Sequence, residues 1–299
     1  MSTTHIAAQA LKTLEPEEWS VLAALERALD AYEVVPFDYL SKTTHLHIDE
    51  VKFRAKKLDQ LKLIYLTPRG ATLVSAGLDA LALRGFVKRN LISGIGSIIG
   101  VGKEADVYEA TDDVGNLYAI KFYRIGRISF RAIRIKRSYA EDLTHHRWLK
   151  VNINAAKKEA EAATKLIKVG VSVPEIIARE RHALLMKRLY GKLLVDCKEL
   201  KDPKKTLKEI LKNIRKAYTE AGIINADLSE FNILCEDSKI WIIDWPQAVD
   251  KNHPNAEILL DRDVANILRF FRRKFKIECP LEEASFYVRG WRDRVEVYG

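Results

Sequence analysis

The chain opens on apolar positions at helical spacing. Trp19, Leu22, Leu25 and Leu29 fall on one face behind Pro16-Glu17-Glu18, a proline and two acids where a helix starts. Phe37 and Leu40 follow Pro36 as a shorter second helix. Ile48, Val51, Ala55, Leu58 and Leu61 mark the apolar face of a third, entered through the turn at residues 43–47. The spacing then shortens. Residues 63–66 and 71–74 flank Thr67-Pro68-Arg69-Gly70, which predicts a hairpin. Three helices and a hairpin predict a winged helix-turn-helix domain over residues 1–84. A connecting helix with Leu78, Leu81 and Leu83 leads to Arg84-Gly85, where the boundary is placed.

Residues 92–123 predict strand, glycine-rich turn, strand, turn, strand. An Ala-rich helix is expected from Asn154 as N-cap to Gly170 as stop. Strands are expected at 171–174 and 183–186. From about residue 193 the pattern turns helical, with Leu207, Leu211, Ile214 and Tyr218 on one face and Gly222 as cap. A second hairpin turns at 236–239, and a later helix places Val264, Ile267, Leu268, Phe271 and Phe275 inside. Helices and strands alternate irregularly, so the expected class is α+β.

Composition narrows the function. The 299 residues are 47% hydrophobic, ample for a core, yet hold no run of about 18 apolar residues. Neither export nor a membrane span is expected. Cys197, Cys235 and Cys279 are far apart and form no C-x-x-C pair, which predicts structural thiols in a reducing cytoplasm rather than zinc ligands or disulfides. The net charge of +9 is concentrated: residues 121–150 hold nine Lys and Arg against two acids, interleaved with Phe130, Tyr139 and Trp148. Arginine with aromatics predicts a polyanionic partner such as RNA. Over residues 1–90, twelve basic residues face eleven acidic ones, and Lys42, Lys52, Arg54, Lys56, Lys57 and Arg69 are the expected phosphate contacts.

The candidate chemistry lies at 224–245. Asp227 and Asn232 have the D-x-x-x-x-N spacing of a phosphotransferase catalytic loop. Asp244 ends a β-branched run (Ile240, Ile242, Ile243), which suits a carboxylate presented to a metal. Upstream, Gly100-Val101-Gly102-Lys103-Glu104-Ala105-Asp106-Val107 keeps two glycines and the valine of G-x-G-x-x-G-x-V, with Ala105 at the third glycine. It is no Walker A loop, because Glu104 stands where Ser or Thr is needed, and no dinucleotide fingerprint, because a strand follows it. Leu117-Tyr118-Ala119-Ile120-Lys121 copies V-A-I-K, so Lys121 is expected on the α- and β-phosphates. Glu159 or Glu161, which cannot both face one site, would orient it. Residues 187–191, with Lys187 and Leu189, form the expected hinge reading an adenine edge through backbone groups.

Together these residues resemble the RIO family of atypical protein kinases, most closely its Rio-two branch. The resemblance is carried by the Gly100–Tyr108 turn, Ile120-Lys121, Arg124-x-Gly126-Arg127-x-Ser129-Phe130-Arg131 and Lys158-Glu159. It is also carried by Ala226-Asp227-x-Ser229-Glu230-x-Asn232, Ile243-Asp244-x-Pro246-Gln247, His253-Pro254-Asn255-Ala256 and Asp261-Arg262-Asp263-Val264. It implies a bilobal kinase-like domain after the winged helix. Its N-lobe would span 85–190, with a flexible basic loop over 124–153, and its C-lobe 191–299. It implies ATP with Mg²⁺ or Mn²⁺, a protein substrate offering Ser or Thr, and work on the small ribosomal subunit precursor and its rRNA. By position, Asp227 is catalytic, Glu159 is the partner of Lys121, and Asn232 and Asp244 hold the metal. Met186 is the gatekeeper, Leu234 and Ile243 join the nucleotide site, and Ser129 is a candidate for self-phosphorylation. Asn225 stands where the family commonly has His, Trp245 where it has Phe, and Lys187 replaces an acidic hinge residue.

With what the resemblance implies, three functions compete: a Ser/Thr kinase, a ribosome-assembly ATPase, and a small-molecule phosphotransferase of the aminoglycoside or choline kinase type. Asp227 to Ile243-Asp244-Trp245 suits the last as well. The upstream winged helix and the arginine-rich stretch favour the first two. A winged-helix DNA regulator leaves the catalytic stretch unexplained.

Overall fold

The computed structural model describes residues 2–126, 145–237 and 239–299. The chain divides into two compact units: residues 1–157 with 177–186, and residues 158–176 with 187–299.

In the first unit, α1 (Thr3–Ala10) precedes the expected helices α2 (Pro16–Arg27), α3 (Phe37–Thr44) and α4 (Ile48–Gln60). Strands β1 (Val35–Pro36), β2 (Ile64–Thr67) and β3 (Gly70–Leu73) form a sheet in the order β1-β3-β2, with Thr67 opposite Gly70 at the hairpin tip. This is the winged helix-turn-helix. Helix α5 (Ser75–Lys88) runs past residue 84 and buries Leu78, Leu81, Leu83 and Phe86. Strands β4 (Gly94–Val101), β5 (Ala105–Thr111), β6 (Leu117–Tyr123), β7 (Ile176–Glu180) and β8 (Ala183–Lys187) make a sheet ordered β4-β5-β6-β8-β7. One apolar cluster joins residues of α1–α5 to Tyr108, Ile120, Phe122 and Leu185 of this sheet, so the winged helix and the sheet share a core.

Helix α6 (His145–Lys168) is a single 24-residue helix. Asn154 therefore lies inside it and caps nothing, and the helix begins upstream of the Ala-rich stretch. Residues 171–174 form no strand. The strand starts at Ile176, and Ser172 instead bonds outward: its N–H donates to Asn213 Oδ1 at 2.6 Å and its carbonyl accepts from Ile242 N at 2.8 Å.

The second unit packs α7 (Pro203–Thr219), α8 (Ala256–Phe275) and α9 (Leu281–Val288) around Leu207, Leu211, Ile214, Val264, Ile267 and Phe271. Pro203 at the first turn and Asp202, whose side chain accepts from Lys205 N, start α7. Two small sheets complete the unit. The first pairs β10 (Ile223–Ile224) with β13 (Val249–Asp250); the second orders β12 (Lys239–Ile242), β11 (Ile233–Glu236) and β9 (Lys192–Leu193). Cys197 and Cys235 are buried free thiols, and burial pushes Cys235 up to about 12. Among the described residues, no helix is long and apolar enough to cross a membrane.

Two charge-based expectations change. Arg54 is not held out toward phosphates. Its Nε donates to Glu50 Oε1 at 2.6 Å and its Nη1 to Glu18 Oε1 at 2.7 Å and to Glu15. Lys57 Nζ sits 3.2 Å from the same buried Glu18. Both cations neutralise the start of α2, where Glu18 also accepts from Glu15 N in a capping box. Lys52 and Lys56 remain exposed on α4. Arg124, assigned to the flexible loop, is 7% exposed and paired with Asp79.

Candidate active site

Glycine turn and lysine meet in the first unit through strand register. Gly100 pairs with Val107 and Val101 with Asp106, so residues 102–105 cap the β4–β5 hairpin. Gly102 N–H closes the turn on Ala105 O at 2.8 Å. Neither Gly100 nor Gly102 takes a left-handed φ. A Cβ at Gly102 would lie 3.3 Å from Ala105 O, so glycine lets the turn close tightly, and Gly102, Lys103 and Glu104 are exposed. Across the other edge of β5, Val107 is directly opposite Lys121 of β6. Opposed residues share a sheet face, so Lys121 stands on the same face as Val107. The lysine is 6% exposed, with Nζ 4.8 Å from the centre of the Tyr123 ring. Met186 ends the first unit on β8 and is buried. Lys187 begins the adjoining segment of the second. Its N–H is taken by Glu175 O at 3.0 Å, and Leu189 O accepts from Arg188 Nη1.

The acidic residues belong to the second unit. Hairpin register sets Ile233 opposite Ile242, and Ile243 N donates to Asn232 O at 2.8 Å. Asn232 thus lies beside the strand end that delivers Asp244. Asn232 is buried, and its Oδ1 accepts from Ser229 Oγ at 3.0 Å, which fixes the amide's direction. Leu234 and Ile243 are half-buried on either side. Asp244 has φ +70 and Ala226 φ +64, two non-glycine residues in the left-handed region. Such backbone costs about 1–3 kcal/mol per residue and persists only when neighbours enforce it. Here they do. Asn225 Nδ2 donates to Asp244 O at 2.9 Å, while its Oδ1 accepts from Asp227 N at 3.2 Å. Asp263 of α8 accepts from Ala226 N at 2.7 Å and from Leu228 N at 3.1 Å, one on each carboxylate oxygen. Arg262 holds Ala226 O, and Asn266 Nδ2 holds Leu228 O at 3.2 Å. Asp227 is therefore flanked by pinned peptide groups.

Burial pushes the Asp263 carboxyl up to about 6, against the pull of those two N–H groups. Glu159, rather than the exposed Glu161, is the buried member of its pair, and its Oε1 lies 3.5 Å from Trp245 N. Glu159 therefore faces the backbone just after Asp244. Lys121 and Glu159 fall in different units. Ser129 lies outside the described residues.

Two contributors were not legible as such. Asn225 stood out only as a departure from the family pattern. Asp263 had a usable signal: it falls three after Leu260 and one before Val264, an acid on the buried face of an apolar helix. An acid so placed must bond to something polar beneath it.

Asn232 and Asp244 offer an amide and a carboxylate oxygen, hard donors that fit a magnesium-sized cation. With Asp227 held alongside, the arrangement is suited to phosphoryl transfer.

Comparison with known proteins identifies the family. The family model described as RIO domain matches residues 106–284, and that for the Rio2 N-terminal region matches residues 11–89. The RIO-type serine/threonine-protein kinase Rio2 of Methanocaldococcus jannaschii is 38% identical over 83% of this chain and 93% of that protein. Serine/threonine-protein kinase rio2 of Schizosaccharomyces pombe is 33% identical over 90% of this chain and 79% of its own length. Among solved structures, the Rio2 kinase–ADP/Mg²⁺–phosphoaspartate complex from Chaetomium thermophilum matches with a TM-score of 0.81 at 31% identity. That match covers 95% of this chain and 94% of the fungal one. With a winged helix ahead of the kinase domain and both family models matched in order, the chain belongs to the Rio2 family of RIO-type serine/threonine-protein kinases.

Proposed function

We propose that the protein is an ATP-dependent serine/threonine kinase and ATPase acting in the cytoplasm on the small ribosomal subunit precursor and its rRNA. The supporting observation is the pair of hydrogen bonds made by the Asn225 side chain, which ties the backbone N–H of Asp227 to the carbonyl of Asp244. One side chain holding the backbone of both the proton-handling and the metal-binding residue suits phosphoryl transfer, where positioning and electrostatics supply most of the catalysis.

ATP is the phosphoryl donor in this reading, with its phosphates against the 100–107 turn, whose exposed residues are Gly102, Lys103 and Glu104. Lys121 sits one strand over and offsets charge that develops on them. By the family resemblance, Glu159 is the acid assigned to orient the lysine. Asn232 and Asp244 would hold Mg²⁺ or Mn²⁺, which supplies charge neutralisation at the phosphate oxygens. Asp227 orients the acceptor hydroxyl of a Ser or Thr and receives its proton. Met186, Lys187 and Leu189 line the adenine side through apolar surface and backbone carbonyls. The phosphoaspartate of the fungal complex supports a hydrolytic branch, in which a carboxylate takes the phosphoryl group and water later releases it. The exposed Lys52, Lys56, Phe53 and Tyr65 of the winged helix support an RNA-facing role, as cation and aromatic pairs suit backbone and bases.

Asp227→Ala should abolish transfer to protein while ATP still binds; unchanged turnover would refute the assignment. Measuring hydrolysis and protein phosphorylation side by side, with and without small-subunit RNA, separates the two activities. RNA that alters neither rate removes the ribosomal reading.

A further inference from the structure

Arg124 follows the last residue of β6, and both its ends hold the glycine turn. Its backbone N–H donates to Glu104 O at 2.5 Å, and its Nε reaches Asp106 Oδ2 at 3.4 Å. The remaining guanidinium nitrogens point to a different part of the chain. Nη1 and Nη2 donate to Asp79 Oδ1 and Oδ2 at 2.7 and 2.6 Å, a two-pronged pair with a carboxylate of α5. Asp79 lies within the segment matched by the Rio2 N-terminal model. Thr4 of α1 donates to Asp79 Oδ2 at 3.2 Å and accepts from Arg124 Nη2 at 3.0 Å. His182 Nε2, in the turn between β7 and β8, is 2.8 Å from Asp79 Oδ1.

Thr4, Asp79, Asp106, Arg124 and His182 are each at most 7% exposed. Burial opposes the Asp79 charge, but Arg124 and His182 outweigh it and hold its carboxyl well below the usual range. A buried, bidentate charge pair is geometrically strict, because neither partner can turn to water if the other moves. Helix α5 therefore cannot shift without moving Arg124, and Arg124 cannot move without moving Glu104 and Asp106.

We propose that Asp79 is a positioning residue for the nucleotide: through Arg124, the N-terminal domain sets the shape of the 100–107 turn and thereby the affinity for nucleotide phosphates. The proposal rests on the reading of that turn as the phosphate cradle. Coupling of this kind is reciprocal, so anything that binds the N-terminal domain and displaces α5 changes nucleotide affinity, and nucleotide changes that binding by the same factor.

The test uses the full chain. Asp79→Asn keeps the shape and removes the charge; Arg124→Lys keeps the charge and removes the fork; Thr4→Val is the mildest change and leaves the ion pair in place. Each folded variant is titrated with fluorescent ADP and Mg²⁺, assayed for KM and kcat with ATP, and followed by hydrogen exchange at residues 102–107. Asp79→Asn and Arg124→Lys are expected to weaken ADP binding and raise the KM for ATP by about tenfold. Their kcat should stay near the parent value, with faster exchange in the turn; Thr4→Val should shift affinity in the same direction by less. Folded variants that bind ADP as the parent does overturn the proposal and leave the network a structural tie. Gly102→Val separates the premise. If it leaves ADP binding intact, the turn is not the phosphate cradle and the proposal falls with it. If it abolishes binding while the Asp79 and Arg124 variants bind normally, the coupling alone fails.

Discussion

Asn225 Nδ2 lies 2.9 Å from the carbonyl oxygen of Asp244, a residue whose φ of +70 only such a contact would hold. The same side chain accepts from Asp227 N. A neutral amide thus fills the place where the resemblance leads one to expect histidine, and it does so with one donor and one acceptor that do not titrate.

Asn225→Ala removes both bonds. Each hydrogen bond of this type contributes on the order of 1 kcal/mol, and its unpaired partner adds more. Turnover should fall about tenfold to a hundredfold. Asn225→His restores a donor to Asp244 and should recover most of the loss, at the cost of a new inflection near neutral pH. Steady-state kinetics over pH 5–9 on the three proteins decides the point. Equal rates for the alanine variant would remove Asn225 from the site's support.

Asp263 gives a pH signature. Its carboxyl titrates at about 6 in the folded chain, raised by burial from its ordinary value of 3.8. Between these values the folded state holds the extra proton. The contribution of this group to stability is therefore fully present below pH 3.8 and declines as pH rises through about 6. Catalysis runs the other way, since the ionised form accepts from Ala226 and Leu228 on separate oxygens. Turnover should rise with pH through about 6. In Asp263→Asn the inflection should vanish, turnover should drop, and the fall in stability over that window should flatten. Kinetics and thermal melts of both proteins across pH 4–8 test it.

Arg54 and Lys52 should separate stability from RNA binding. Arg54→Ala leaves the fully buried Glu18 with Lys57 as its remaining cation and should lower the melting temperature by a few degrees. It should hardly change the salt dependence of RNA binding. Lys52→Ala with Lys56→Ala should reduce the slope of log affinity against log salt by one to two contacts, roughly 0.7 per phosphate for single strands. It should leave melting unchanged. The reverse pattern would place the RNA contacts elsewhere.

Gly126 has φ +90, and a Cβ there would lie 2.4 Å from the Trp148 ring. Gly126→Ala therefore combines a left-handed backbone with a clash and should cost about 1–3 kcal/mol of stability. Chemical denaturation measures it, and an unchanged midpoint would show that Trp148 swings aside freely.

Much of the fold was legible because amphipathic spacing reports directly on which face is buried. The third helix of the winged domain and the β11–β12 hairpin both follow from apolar periods read residue by residue. Helix α1 was not, since Thr-Thr-His-Ile-Ala-Ala-Gln-Ala has only small residues on its packed face. The strand placed at 171–174 failed because apolar composition cannot tell a sheet edge from an extended connector. Charge misled most. Counting Arg54, Lys57 and Arg124 as available cations ignored their carboxylate partners, which lie 4 to 45 residues away in sequence and meet them only in the folded chain. At the site, the spacing of Asp227, Asn232 and Asp244 carried chemistry that local sequence can encode. The pins on that loop, Asn225 and Asp263, depend on tertiary contacts and required the structure.

The junction of Ile125 and Gly126 with α6 has a consequence for how this family can vary. Ile125 N donates to Asn152 Oδ1 at 2.7 Å, and Gly126 packs on Trp148, so the two ends of the basic stretch are fastened to each other. Closing a loop between fixed ends costs entropy that grows only with the logarithm of its length, about 0.6 kcal/mol for each doubling. Differences across the family in the length of chain between those ends should then change the cost of joining them only slightly.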